Sequence, residues 1–424
     1  MRSNPARCGP RIFRGWFVVA GTFAITCFGF GSAYTFSAFI QPLQASFGAS
    51  RTLVSLVFSL AGFLYFSFGI VSGPLADRWG SRRLAVLGMV LTGLGLAGAG
   101  MAANLAQASL AYGLGVGLGI GCSYVPALGA VQRWFSRRRG FASGLAVSGI
   151  GVGTVVLPPL ASLLIAALGW RQAYFALGSL VAVVGAGMAM LIENDPHDRG
   201  LEPDGDPVSV VPRPAPLAEV SVRGALGSRQ FAGLYAACLI CSLVVFVPFV
   251  DLVPYAVGQR IPPFSAVLLL SMIGVGSTAG RFLLGGAADR MGRGRTLAAM
   301  FVGMGLALGL WAFSKSFALL AAFALIYGIF YGGWVAVLPA VVMDRFGGRN
   351  ISGIIGVLYT SVAIGTLIGP TAAGFVYDLT HSYTLPILSG VAANLIAAGI
   401  AAGGSKALEP AAAGPGRSAK RTSG

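Results

Sequence analysis

The chain is 424 residues long, 56% hydrophobic and only 10% charged, with a mean hydropathy of +0.80. So little charge cannot cover the surface of a soluble protein of this size, which leaves a membrane protein that crosses the bilayer many times. The formal charge of +16 raises nucleic acid as a partner, and the placement of the charges along the chain removes it.

Residues 1–13 are a basic tail that runs into an apolar stretch, as a signal peptide does. The stretch continues to about Ile40 without a small-residue cleavage site, so it reads as a retained first helix. About twenty apolar residues span a bilayer as a helix. Twelve such runs follow in order, at 14–40, 53–76, 84–104, 107–134, 140–166, 172–192, 231–255, 264–287, 296–314, 317–343, 351–376 and 384–403. The segment 193–230 differs in kind. It is rich in Pro, Asp and Arg, holds seven of the thirteen acidic residues, and reads as a solvated linker. It separates a first six-helix half (14–192) from a second (231–403), and 404–424 reads as a disordered tail. The predicted fold class is an all-α polytopic membrane protein with twelve transmembrane helices in two six-helix pseudo-symmetric bundles.

With the N-terminus inside, the tails and even-to-odd loops carry 24 of the 29 Lys and Arg residues. The opposite side carries Arg51, Arg171, Arg260 and Lys315, and Arg281 falls on neither side. This positive-inside bias predicts cytoplasmic termini in a cell (inner or plasma) membrane and makes the net charge a topology signal. The halves also repeat at an offset of 212 residues: GPLADRWGSRR (73–83) recurs as GGAADRMGRGR (285–295), and GTVVLPP (153–159) answers GTLIGPT (365–371). Parallel repeats about an axis normal to the membrane give this pattern. Cys238 and Cys241 form a C-x-x-C pair inside an apolar helix and read as packing residues. With two histidines in the chain, neither a metal site nor a cofactor is expected. The glycines of GLGVGLGIG (113–121) lie inside a membrane helix, where a dinucleotide site has no strand to precede it.

The ladder G-x-L-A-D-R-x-G-x-R-R between the second and third helices, echoed between the eighth and ninth, resembles the hallmark of the major facilitator superfamily. WFSRRRGFASGLAVSG (134–149) and GWFVVAG (15–21) resemble the signatures of monocarboxylate transporters, in a prokaryotic, oxalate/formate-antiporter-like branch. The resemblance implies that Asp77, Arg78, Arg82, Arg83 and Arg133, with Asp289, Arg290 and Arg293, form gating clusters at the cytoplasmic side. A charge patch that only sets topology is the alternative.

Arg281 lies eight residues before Asp289, roughly 12 Å along a helix. That depth is near the bilayer midplane and costs at least ~2.5–3.5 kcal/mol on insertion scales. Gly274, Ser277, Thr278 and Gly285 share its face, as expected of a guanidinium lining a wet cavity between the halves and offering a donor fork to a carboxylate. A purely structural arginine is the alternative. In animal monocarboxylate transporters the equivalent arginine follows an Asp, where Ser277 stands, and the lysine of their first helix corresponds to Tyr34. The eleventh helix lacks the lysine that oxalate/formate antiporters use for a second carboxylate, so one buried cation favours a mono-anion. Tyr34, Tyr124 and Tyr331 are candidates for the binding wall, while Tyr327 and Trp334 read as packing. Asp251 is the candidate for proton coupling or else a solvated helix-end residue.

The function expected is a secondary transporter of a small monocarboxylate such as lactate or pyruvate, working as a monomer with a small organic anion and, for a coupled cycle, H+ as partners. An exporter of hydrophobic drugs or metabolites and an anion-binding receptor that transports nothing are the alternatives. No nucleophile–base pair suggests an enzyme.

Overall fold

The structure is a computed structural model that describes residues 13–135, 139–205, 222–346 and 351–406. Among the described residues every regular element is helical, and twelve helices are long and apolar enough to cross a membrane. They are α1 (Gly15–Phe47), α2 (Arg51–Ala76), α3 (Ser81–Met101), α4 (Leu105–Trp134), α5 (Gly140–Leu168), α6 (Trp170–Ala189), α7 (Arg229–Gly258), α8 (Pro263–Gly285), α9 (Arg293–Phe313), α10 (Phe317–Phe346), α11 (Gly353–Thr380) and α12 (Thr384–Gly403). Helices are the natural choice here because lipid offers no hydrogen bonds to an open backbone. The side chains turned outward are apolar, among them Leu94, Val183, Leu306 and Phe313.

Local sequence sets the ends. The repeated Asp-Arg-x-Gly places Gly80 and Gly292 at the turns after the second and eighth helices, both with φ +89°. A left-handed turn of that kind is costly for any residue with a Cβ, so the repeat is a backbone requirement as well as a charge pattern. Ser50, Asn104 and Ser228 cap α2, α4 and α7 by accepting from the backbone N–H of Leu53, Gln107 and Phe231. The first helix runs past its expected end near Ile40 to Phe47, through Pro42. Gln41 and Gln44 lower its hydropathy there, while Phe36, Phe39, Ile40 and Leu43 still face the core. Both α1 and α7 break near their middles, at Thr35 and Phe246, the same place in the repeat.

The halves meet along a seam where α1 faces α7, α2 faces α11, and α5 faces α8. Hydrogen bonds cross it: the Ser37 hydroxyl donates to the Val250 carbonyl at 3.0 Å, Thr371 to Ser59 at 3.0 Å, and Ser271 to the Val155 carbonyl at 2.9 Å. At the end carrying the Asp-Arg-x-Gly loops (the basic end) the seam opens into a cavity of about 350 Å³ between α2, α4 and α11. At the opposite, far end the seam is closed.

Within the second half, α8 and α10 interlock through glycines. A Cβ on Gly276 or Gly280 would meet the Leu325 or Ile329 carbonyl oxygen at 2.2 or 1.9 Å, and one on Gly328 or Gly332 the Ile273 or Ser277 carbonyl at 2.3 or 2.0 Å. Small residues at a membrane helix crossing permit this approach, and here they fix the height and rotation of α8. Gly280→Ala must therefore separate the two backbones, and an overpacking loss of about 1–3 kcal/mol is expected in detergent unfolding. Gly187→Ala, whose Cβ would have nothing within 4 Å, is the control and should unfold like the parent.

Candidate substrate site

Arg281 sits on α8 where that helix parts from the first half. Above it, towards the far end, Gly274 presses on Gly151 and Val155 of α5, and Thr278 lies beside Gly151. One turn below it, a Cβ on Gly285 would have nothing within 4 Å. The guanidinium is thus held at the junction of the closed and open parts of the seam. Phe282 and Leu283 are exposed on the outer surface, as the helical spacing predicts.

The residue is 5% exposed, and Nε and both terminal nitrogens lack any hydrogen-bond partner. Ser277, one turn earlier and 2% exposed, also has an unpartnered hydroxyl. Tyr331, Tyr124 and Tyr34 are the groups close enough to act electrostatically on the guanidinium. Two of them join the halves, since the hydroxyls of Tyr34 on α1 and Tyr331 on α10 lie 3.0 Å apart. The structure thus brings Arg281 and the three tyrosines together, with Ser277 on the adjoining turn. Phe249 packs against this pair, tilted 4.5 Å from Tyr34 and edge-on 5.1 Å from Tyr331 between ring centroids, and roofs the site on the far side.

On the basic side lies a small pocket of about 30 Å³ bounded by Phe30, Phe66, Tyr124, Phe246, Tyr331 and Trp334. Tyr124, Phe66 and Tyr359 also line the 350 Å³ cavity, so the pocket adjoins the open path. Arg281 lines neither space directly and meets them through Tyr124 and Tyr331, which makes this an occluded site beside an open vestibule. The Trp334 indole N–H and the Tyr65 hydroxyl are buried without partners at the same walls. A buried donor left unbonded is unusual and costs free energy, so several around one aromatic pocket describe a place prepared for acceptors. Tyr65 has no sequence signal of its own, being one more aromatic residue in an apolar helix. Tyr327, by contrast, donates to the Val245 carbonyl at 2.7 Å and is a packing residue. Cys238 and Cys241 are fully buried, with the Cys241 thiol 3.6 Å from Asn394 Oδ1.

One expectation about the far end needs correction. Asp251 is not a solvated helix-end residue but 0% exposed, because α7 continues past it to Gly258. Arg51, outside the apolar run at 53–76, is the first residue of α2 and 6% exposed. α11 extends to Thr380 and so carries a further acid, Asp378.

At the basic end the described contacts of the motif residues stay inside their own half. Arg82 donates to the Ile192 carbonyl at 2.6 Å and pairs with Glu193 at 3.6 Å. Arg133 donates to the Asn194 carbonyl and to Ser81, each at 2.9 Å. Arg293 pairs with Asp344 at 2.6 Å. Arg78, Arg83 and Arg290 are exposed, and the side chains of Asp77 and Asp289 lie outside the described residues. The start of the linker is also drawn in: Glu193 gathers Arg14, Arg82 and Arg199, and Asn194 accepts from the Ser81 N–H at 2.6 Å.

Comparison with known proteins agrees with this architecture. The profile of the Major Facilitator Superfamily matches residues 21–302 and 260–421. Monocarboxylate transporter 11 of Mus musculus is 30% identical over 388 residues, covering 88% of this chain and 83% of its own. Monocarboxylate transporter 12 of Rattus norvegicus is 29% identical over 397 residues, covering 88% and 82%. Among solved structures, a bacterial homologue of the human lysosomal transporter Spinster, inward-facing and unoccupied, superposes with a TM-score of 0.70 at 17% identity, covering 94% of this chain and 98% of its own. The chain therefore belongs to the Major Facilitator Superfamily, as a multi-pass membrane transporter of the monocarboxylate-transporter-like kind.

Proposed function

We propose that the protein is a secondary active transporter of a small monocarboxylate, of the size and charge of lactate or pyruvate, working by alternating access. The observation that carries this reading is the unpaired guanidinium of Arg281, buried at the seam among unpartnered hydroxyl and indole donors. A carboxylate matches the planar donor fork and supplies the missing negative charge. Each half contributes to the site, Tyr34 and Tyr124 from the first and Arg281, Ser277 and Tyr331 from the second, so parting the seam at either end alternately exposes the anion. With one buried cation and aromatic walls, a mono-anion with a short apolar body fits better than a dicarboxylate.

The excess of 24 basic residues supports putting the basic end on the cytoplasmic side of a cell membrane, and on that reading the arrangement described is inward-facing. In such a cycle the basic-end clusters, braced here within each half, re-form across the halves when the cytoplasmic side closes. A proton-coupled cycle needs a titrating group. Arg281 remains protonated, and Ser277 cannot take the role of a carboxylate, so we assign it to Asp251, the acid of the spans that is fully buried among the described residues.

Two measurements separate the binding role of Arg281 from a structural one. In proteoliposomes, Arg281→Lys should cut the kcat/KM for labelled lactate or pyruvate by about ten-fold or more, because a single point charge replaces a bidentate fork. Undiminished uptake in that variant would remove Arg281 from the binding site. If no carboxylate is taken up but carboxylates stabilise the protein, it is a receptor instead. Without substrate, Arg281→Met should raise stability by about 1–3 kcal/mol, since it removes a buried, unpaired charge while keeping volume. A loss of the same size in detergent unfolding would mark the arginine as a structural tie.

A further inference from the structure

At the far end of the seam, charged and hydroxyl groups from both halves meet, with Arg51, Asp251 and Tyr383 buried. Arg51 of α2 leaves Nε and one terminal nitrogen without a partner. Neither carboxylate oxygen of Asp251 on α7 has a formed hydrogen bond, nor does the hydroxyl of Tyr383, just before α12. Arg51 and Asp251 are joined through a run of rings, in which Tyr377 lies 4.4 Å from Tyr383 and Tyr383 lies 5.7 Å from Tyr255, one turn along α7 from Asp251. The Arg51 guanidinium also lies 5.3 Å from the ring centre of Tyr377 on α11. Beside it the backbone N–H groups of Arg51 and Thr52 donate to the two oxygens of Asp378 at 3.0 and 2.9 Å, and the Thr52 hydroxyl donates to the same carboxylate at 2.5 Å. A carboxylate of the second half thus caps a helix of the first.

The surroundings leave few other charges to consider. The outer segment of α1, Phe36–Phe47, packs on α7 without an ionisable side chain and holds it through the Ser37 hydrogen bond to Val250, the residue before Asp251. The outer half of α8 carries none either. Tyr255 lies one turn along α7, 5.7 Å from the Tyr383 ring, and exposed His381 lies 6.2 Å from Tyr377.

The two acids of this cluster differ in what opening would cost them. Asp378 is partly exposed and can exchange its hydrogen bonds for water. Asp251 is wholly buried without a hydrogen bond, and the cation of this cluster, Arg51, belongs to the other half. While Asp251 is ionised, attraction to Arg51 holds the far end shut. Such an attraction is strong in a low-dielectric setting and is lost once either partner is neutral.

We propose that Asp251 and Arg51 form a proton-controlled gate at the far end, with Asp378 and Tyr383 as its positioning residues. A proton from far-side water adds to a carboxylate oxygen of Asp251, giving a neutral acid. Arg51 keeps its charge and its contacts with Tyr377, and the halves part at this end. This deepens the alternating-access part of the proposed function and assigns Asp251 a definite place in it. It does not depend on which anion Arg281 binds.

The test is a distance measurement without substrate. Spin labels are placed at the exposed far-end positions Ala103→Cys and Gln259→Cys, one on each half, with Cys8 and Cys27 replaced by Ser. On acidification from about pH 7.5 to about pH 5.5 the long-distance population should grow by about ten-fold in the parent. Asp251→Asn should be open at both pH values and insensitive to acid, and Arg51→Gln should open at neutral pH by the other side of the pair. Asp251→Glu should restore the pH response, which guards against a variant that merely misfolds. His381→Gln should respond as the parent does, which separates the Asp251 carboxyl from the exposed imidazole beside Tyr377. A parent distribution unchanged by pH, a closed Asp251→Asn, or an Asp251→Asn that still opens with acid would overturn the gate. Any of these would leave carboxylate uptake through Arg281 untouched, so the two readings fail separately.

Discussion

A guanidinium with no counter-charge in the middle of a membrane protein is the constraint around which the rest of the structure is arranged. Arg281 cannot reach water by extending, because it is buried well inside α8, and it finds no protein acceptor. Holding it there costs free energy that packing elsewhere must offset. The glycine contacts between α8 and α10 provide a rigid mount for α8, with backbones too close to admit even a methyl group at four positions. The cost is then confined to one side chain, and in the proposed function it is recovered when an anion arrives. In that proposal, a site unfavourable when empty and neutral when filled favours passage of the loaded seam over the empty one.

The seam gives this site two unequal ends. Towards the basic end, α2, α4 and α11 stand apart around a vestibule lined by Tyr65, Phe66, Tyr124 and Tyr359. Towards the far end, the Tyr34–Tyr331 contact, Phe249 above it, and the Ser37–Val250 bond close the path. These contacts are few and mostly neutral, so they can be broken and remade at small cost. The buried charges lie at two levels, Arg281 and, beyond the aromatic roof, Arg51 and Asp251. In the proposed cycle the first level holds the anion and the second the proton, so that each end of the seam would sense one of them.

Much of this was legible in the sequence, and the reasons are physical. The repeated Asp-Arg-x-Gly betrayed the two-fold architecture because a positive φ at Gly80 and Gly292 admits few substitutes. Arg281 was legible because one cation in a long apolar run has few innocent explanations. Tyr34 followed from the resemblance to monocarboxylate transporters, whereas Tyr124 and Tyr331 were candidates only as aromatic residues within the spans. The far-end cluster was not legible. Arg51 and Asp378 both lie at helix ends where charge is ordinary, and their contact joins residues 327 positions apart. Nor could hydropathy tell that α1 and α11 extend beyond their apolar stretches, since the last turn of α1 packs Phe47 on Trp170 of α6 and that of α11 carries Asp378 to the start of α2. Tyr65 escaped for a related reason: only the fold shows that its hydroxyl faces a cavity wall instead of a carbonyl.

The measurement closest to the central claim is ligand-induced stabilisation of the purified protein by matched acids and amides. Lactate and pyruvate should raise the unfolding temperature of the wild type, their neutral amides should not, and Arg281→Met should respond to neither. An Arg281→Met protein stabilised by the acids as much as the wild type would contradict the account, because the anion would then be held by some other part of the molecule.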